Sequence, residues 1–528
     1  MIFNNKKMKK IIGIATALAL AIIVISGCKK DVTELPLDSV SLDQYFRSTR
    51  DITAALAGMY TSFQEEMTGD GTNKDEPYGG RYHYWGEGRS DNFDRSQYSN
   101  STITELSFNA VTINNQAADW GGLYRTIYRA NTNIKYIPQV KQYDNLATPT
   151  IINNALAQSY AMRAECYFYI VRLWGNAPIW TEPYVDATAA PAKPRSSQAK
   201  IIDSVIIPDL KNAYDLMPKG QTAVVWNINE GAICAMLADV YMWRAGQPGG
   251  GQTDYQNAIT WIQKLFLAKG PTGAVYTGTS GSNLEPQATW KNLFTSPTTS
   301  IEPIWSIHWD NTVNGCACIP ITTGLSNNPV RVDSVVYFNW KKNNKTDTRF
   351  GKTIDTTSTT AQSTWLAHMD KVLKYFNVNN VATNIIPAGG TALNLNVYLV
   401  MYRLGDVYLS YAEALNQIND QANALKYLNY IRVRAGVAAY TAVQLPTQAA
   451  MQAAILQERQ YELFAEGKRW FDLVRTGNVK AVMDPIVSRR QKNFGTVQTG
   501  FQDLNKVLWP ITQVNLAANP LLVQNPSY

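Results

Sequence analysis

Residues 402–435 read YRLGDVYLSYAEALNQ, IND, QANALKYLNYIRVRA: two helical patterns of similar length joined by the short turn Ile418-Asn419-Asp420. Small residues (Ala412, Ala414, Ala424) stand where the two helices would touch, with large side chains between them. The same plan occurs earlier in the chain. Asn229–Ala245 is followed by a glycine-rich loop, Gly246–Gln252, and then by Asp254–Leu267, with Ala238 and Ala258 at the contacts. A helix pair of this kind buries its face only against neighbouring pairs, so the pattern predicts a curved stack of helices.

The paired stretches resemble tetratricopeptide hairpins. Helical spacing also governs Leu56, Met59, Tyr60 and Phe63, then Trp120, Leu123, Tyr124, Ile127, Ile134 and Ile137, then Leu156, Tyr160, Ala164, Tyr167 and Phe168. From about 271 to 395 the pattern changes to Gly, Thr, Ser, Asn and isolated aromatics, with strand-like runs at Pro303–His308 and Arg331–Phe338. A structureless segment that long is improbable inside a compact domain. The expectation is a mostly α fold: a tetratricopeptide-like helical scaffold over about 45–270 and 396–528, with an irregular loop and short-strand lobe inserted at about 271–395.

The amino terminus locates the chain. Residues 1–28 carry four lysines, an apolar run from Ile11 to Ile25, and then Ser26-Gly27-Cys28. This order resembles a bacterial lipoprotein signal. The run of 15 residues is shorter than the ~20 a spanning helix needs. The resemblance implies that residues 1–27 are removed and that Cys28 is acylated, a tether of the kind that several lipid chains make stable. Residues 28–44, polar and carrying Pro36, read as a flexible leash. Loss of the four signal lysines lowers the formal net charge from +7 to about +3, and no Lys/Arg block suited to phosphates appears. Nucleic acid is excluded as a partner.

Catalytic and metal signatures are sparse. Cys166 and Cys234 sit in apolar helical patterns and read as buried thiols. Cys316-x-Cys318 has no matching His/Cys pair to complete a metal site. His83, His308 and His368 are scattered, and no HExxH, GxSxG or phosphate-loop pattern appears. Asp70–Asp75 (DGTNKD) superficially resembles a calcium loop but lacks the EF-hand spacing, which leaves a structural calcium unassigned and no cofactor expected. Glu458, Glu462 and Glu466 fall at i, i+4 and i+8, a spacing that places them on one helix face and invites a two-carboxylate reading. Arg459, Lys468, Arg469 and Arg475 crowd the same stretch and would keep those carboxylates ionised, removing the general acid.

Several stretches, in order, resemble the SusD/RagB family of outer-membrane nutrient-binding lipoproteins. They are WGGLYRTIYRAN (120–131), RAECYFY (163–169) running to LWGNAP (173–178), and Asp209 to Pro218. AMLADVY (235–241), YAEA (411–414) and NYIRVRAG (429–436) follow. The densest is ERQYELFAEGKRWFDLVR (458–475), and the chain closes on WPIT (509–512) and NPLLVQNPSY (519–528). Ile25 stands where the lipobox commonly has Leu, and Trp174 and Ala177 vary the loop motif.

The resemblance implies a SusD-like single domain from residue 45 and a non-catalytic role. The protein would capture oligosaccharides outside the cell and deliver them to a SusC-like TonB-dependent transporter of the outer membrane. YHYWGEGRSDNF (82–93) reads as a glycine-rich, non-periodic loop. Aromatic faces cover the apolar side of a sugar ring while Asp, Asn and Arg take hydroxyls. The corresponding loop of SusD-like proteins contributes ligand contacts, which makes Tyr82, Trp85, Arg89, Asp91 and Asn92 candidates. Trp305, Trp309 and Asp310 in the insertion are weaker candidates, because strand alternation puts Trp305 and Trp309 on one side, directed to the core. Peptide capture in the manner of RagB, a surface glycoside hydrolase and a pure protein adaptor are the alternatives.

Overall fold

The computed structural model describes residues 42–68, 80–97, 99–185, 192–308, 329–343, 345–354, 372–375 and 398–528. Residues up to Tyr45 form a unit by themselves, of which the helical turn Leu42–Tyr45 is described; it takes up the last residues of the expected leash. Cys28, the signal sequence and Asp70–Asp75 lie outside the described residues, as do Cys316, Cys318, His368 and Trp365.

The unit from Phe46 onward is built on helices. In chain order they are α1 (Thr49–Thr68), α2 (Arg81–Gly86), α3 (Gly121–Tyr136), α4 (Pro149–Trp174), α5 (Ile207–Leu216), α6 (Glu230–Ala245) and α7 (Gln252–Leu265). After the insertion come α8 (Leu404–Gln417), α9 (Gln421–Arg434), α10 (Gln448–Glu462), α11 (Arg469–Arg475) and α12 (Val479–Phe494). α1 packs on α3, and each long helix from α3 to α9 then packs on the next, the one-dimensional order of a solenoid. α4 is buried on nearly every side from Ala155 to Trp174, because its sequence is apolar all round rather than along one stripe.

Local chemistry starts and stops these helices. Side chains of Thr148, Asn229 and Thr447 accept from the backbone N–H three residues on, filling otherwise orphaned donors. Asp420 does the same for α9, and Asn419, at φ 68°, makes the tight reversal from α8. The expected pairs α6/α7 and α8/α9 are therefore present, with ends shifted by a few residues. α8 starts late because Tyr398–Arg403 is a strand.

The described part of the insertion is tied to the helices by two short sheets. Strand β1 (Phe93–Arg95) pairs antiparallel with β3 (Val330–Val332), and β2 (Pro303–His308) with β4 (Tyr398–Arg403). Each two-stranded sheet thus joins one strand of the insertion to one from outside it. Trp290, Phe294, Trp305, Val332 and Trp340 enter the same continuous hydrophobic core as α4 and α6. Trp290 and Trp340, which the sequence does not place, are core residues. Among the described residues no helix is long and apolar enough to cross a membrane.

Arg403, the last residue of β4, is fully buried at the centre of a charge cluster. Its guanidinium lies 2.7 Å from Glu302 and 2.8 Å from Glu466, and it also pairs with Glu462. Arg349 reaches Glu462 at 2.9 Å, Glu458 at 2.7 Å and Asp347 at 2.7 Å. Arg434 bonds Glu302 and Glu462, and Lys374 bonds Glu466. Removing one partner would leave buried charges uncompensated, at a cost of about 3–5 kcal/mol. Arg403→Met is expected to lower unfolding free energy by about that amount, read by urea denaturation.

Candidate functional site

The aromatic segment 82–93 is not a surface loop. Arg81–Gly86 is helical, and Tyr82, His83, Tyr84 and Trp85 are all buried. Trp85 donates from Nε1 to the Ala117 carbonyl (2.8 Å) and meets Trp174 edge-to-face at 5.8 Å. Tyr82 hydroxyl lies 2.6 Å from the carbonyls of both Val400 and Glu466. Arg89 donates to Asn109 (2.9 Å) and to the Val507 carbonyl (3.0 Å), and its guanidinium stacks 4.4 Å from the Trp470 ring. Asp91 pairs with Arg469 at 2.8 Å, and Gln460 donates to Asp91 and Asn92 at 2.8 and 3.0 Å. The structure places Tyr82, Trp85, Arg89, Asp91 and Asn92, all expected as ligand contacts, inside the fold. Polar atoms of Tyr82, Asp91 and Asn92 clamp segment 458–475, whereas those of Trp85 and Arg89 bond Ala117, Asn109 and Val507. Trp309 and Asp310 lie outside the described residues, and Trp305 is buried in the core as its strand position indicates.

The clamp has two sensitive points. A Cβ on Gly86 would lie 2.1 Å from the Gly467 carbonyl oxygen. His83 is buried with Nε2 3.0 Å from the Ala465 carbonyl, and burial pushes its imidazole down to about 3 despite that hydrogen bond. Burial likewise pushes the Glu87 carboxyl up to about 8, against hydrogen bonds from Asn92, Lys468 and Gly467.

The carboxylates of 458–466 are also not arranged for catalysis. α10 ends at Glu462, and Ala465 adopts φ 66°, so Glu466 leaves the helix face that the spacing predicts. Burial would raise the Glu462 pKa, but Arg434, Arg403 and Arg349 outweigh it and hold the carboxyl well below the usual range. The cations that do this come from other elements. Arg459 instead pairs with Asp472 and Asp406, and Arg475 with Glu413. Among the described residues no group of three His, Cys, Asp or Glu could hold a metal ion.

What faces outward is a different set of rings. At the far end of the β2–β4 pair, His308 and Tyr398 are register partners, their rings 5.2 Å apart and 13° from parallel. Trp226 lies across both, at 4.4 Å from His308 and 4.8 Å from Tyr398. The loop that carries Trp226 is laced to β2: Ser306 N–H donates to the Val225 carbonyl (2.9 Å), and Asn229 donates to the Ile304 carbonyl (2.8 Å). Gln64 at the end of α1 donates to the His308 carbonyl. Tyr60 hydroxyl accepts from Ile228 N–H (2.8 Å) and donates to Gln158 (2.7 Å), fixing the loop from below.

These groups open on a cleft of about 260 Å³ lined by Trp226, Asn227, Thr61, Gln64, Ser306 and His308. The Ser306 hydroxyl lies buried beneath the cleft with no hydrogen-bond partner among the described residues, and Thr61 and Asn227 are exposed. A flat ring stack beside hydroxyl and amide groups can hold a ligand with an apolar face and a polar edge. Sequence reasoning missed Trp226 and Tyr398 and met His308 only as an isolated histidine. The one usable signal was the strand alternation of 303–308, which puts His308 at a strand end.

The glutamates of 458–466 are thus neutralised internally, and the cleft that opens outward is aromatic. The profile of the SusD family matches residues 241–528, and a second, described as starch-binding associating with outer membrane, matches residues 37–242. The chain belongs to the SusD family. It is 24% identical to SusD-like protein P38 of Formosa agariphila, over 99% of this chain and 100% of that one. A solved SusD homolog from Bacteroides thetaiotaomicron superposes with TM-score 0.72 at 20% identity, covering 92% of this chain and 98% of that chain. A solved laminarin-binding SusD-like protein gives TM-score 0.68 at 20% identity, covering 92% and 100%.

Two stability outcomes follow from the clamp. Gly86→Ala is expected to cost about 1–3 kcal/mol by overpacking, measured by urea denaturation. His83 takes its proton near pH 6.5 when unfolded but only near 3 when folded. The unfolded state therefore binds the extra proton between those values, and stability falls as pH drops through that window. The advantage of wild type over His83→Gln should shrink by up to about 1.4 kcal/mol per pH unit below pH 6.5, read in parallel denaturation series.

Proposed function

We propose that the protein is a non-catalytic glycan-binding lipoprotein of the outer membrane. It is held by acyl chains on Cys28, faces the cell exterior, and passes oligosaccharides to a SusC-like TonB-dependent transporter. The observation that carries the glycan reading is the Trp226–His308–Tyr398 stack beside the unpaired Ser306 hydroxyl. A pyranose would lay its C–H face on Trp226 and direct hydroxyls toward Ser306, Asn227 and Thr61. Family membership supports the location and the transporter, and the laminarin-binding relative supports a glucan as cargo. The buried arginines around Glu462 support retention without cleavage, since a general acid needs a raised pKa.

The test is calorimetric titration of the detergent-solubilised lipoprotein with laminarin and starch oligosaccharides, with reducing ends assayed in parallel. Binding without new reducing ends is expected, and Trp226→Ala should weaken the Trp226 cleft at least tenfold, about 1.4 kcal/mol. Release of shorter products would overturn the non-catalytic reading. In cells, Cys28→Ser should move the protein from the membrane to the soluble fraction, and unchanged fractionation would remove the anchor.

A further inference from the structure

We propose a second saccharide site, on the opposite side of α3 from α1 and sharing no lining residue with the Trp226 cleft. Five rings (Trp120, Tyr124, Tyr128, Trp180 and Tyr184) wall a half-open pocket of about 350 Å³, within the size range of small-molecule sites. This inference rests on the glycan-binding reading and extends it to surface that the family motifs use only as scaffold.

The walls are fixed before any ligand arrives. Tyr124 hydroxyl donates to the Pro178 carbonyl (2.7 Å), and Asn131 donates to the carbonyls of Trp180 (3.1 Å) and Glu182 (3.2 Å). Buried Arg163, itself paired with Asp209 at 2.7 Å, donates to the Thr181 carbonyl (2.9 Å). Trp180 and Tyr184 meet edge-to-face at 5.6 Å, as do Trp120 and Tyr124 at 5.7 Å. Pre-set rings lose little freedom on binding. Yet Tyr128 remains 38% exposed and Trp180 and Tyr184 only half-buried, a cluster of aromatic surface that folding leaves open to water.

The lining also selects the ligand's chemistry. It contains no Lys or Arg, which disfavours phosphate, sulfate or carboxylate groups. Both amide donors of Asn131, and one each of Asn515 and Asn519, are committed to other groups of the chain. No hydrogen bond among the described residues occupies the Glu182 carboxylate or the Asn515 side-chain oxygen, so the pocket offers acceptors to a ligand that brings donors. Ammonium ions fit less well, because the chain already places Lys193 Nζ 4.0 Å from the Trp180 ring centroid. A neutral sugar meets every condition: an apolar ring face for Trp180 or Tyr128 and hydroxyl donors for Glu182 and Asn515.

Calorimetry on the detergent-solubilised lipoprotein with laminarihexaose and with maltohexaose tests this. Wild type should bind two equivalents of at least one of them. Trp226→Ala, Trp180→Ala and the exposed-site variant Glu182→Gln each leave one site intact, the last weakening the second site at least fivefold. The double variant Trp226→Ala/Trp180→Ala should bind none, with melting temperature confirming that it folds. One equivalent, lost with Trp226→Ala and unaffected by Glu182→Gln and Trp180→Ala, would overturn the second site and leave the proposed function standing. No binding of either hexasaccharide to wild type would overturn both.

Discussion

Arg403 is the constraint from which the rest of the structure takes its form. A guanidinium in the interior is tolerable only if carboxylates meet it there, and Glu302, Glu462 and Glu466 do so from two separate parts of the chain. Those carboxylates in turn need Arg434, Arg349 and Lys374. The result is a set of opposite charges that can be satisfied in one arrangement only, drawing the insertion, β4, α9 and α10 to a common point. A hydrophobic cluster of the same volume could be as stable, but would fix the mutual register of those elements less tightly.

The same cluster engages the glutamates of the densest family motif. Charge pairs that hold a fold need every partner engaged and ionised, whereas acid–base work needs one group shielded from cations. In 458–475 every charged side chain is engaged in an ion pair. The segment 82–93 clamps the motif from the other side, through Glu87 on the Gly467 N–H and Asp91 on Arg469.

Helices were legible because their period is a property of each stretch alone; the pairs around Ile418 and Gly246 needed no knowledge of their neighbours. Burial of Trp85 was not. Glycines beside a tryptophan signal a loop in isolation, but here Gly86 is small because Gly467 must approach it, a contact between residues far apart in sequence. The spacing of Glu466 misled for a related reason: the positive φ at Ala465 ends the helical geometry that makes i+4 positions neighbours. The ring stack had no local signature, since Trp226, His308 and Tyr398 come from a loop and two strands. Only the antiparallel register brings the last two together.

The β2–β4 ladder runs from Pro303 opposite Arg403 at one end to His308 opposite Tyr398 at the other. It bolts the aromatic platform directly to the ionic centre of the molecule. The position of those rings is therefore set by the same strand register that seats Arg403, so a shift of one residue along the ladder would displace both together.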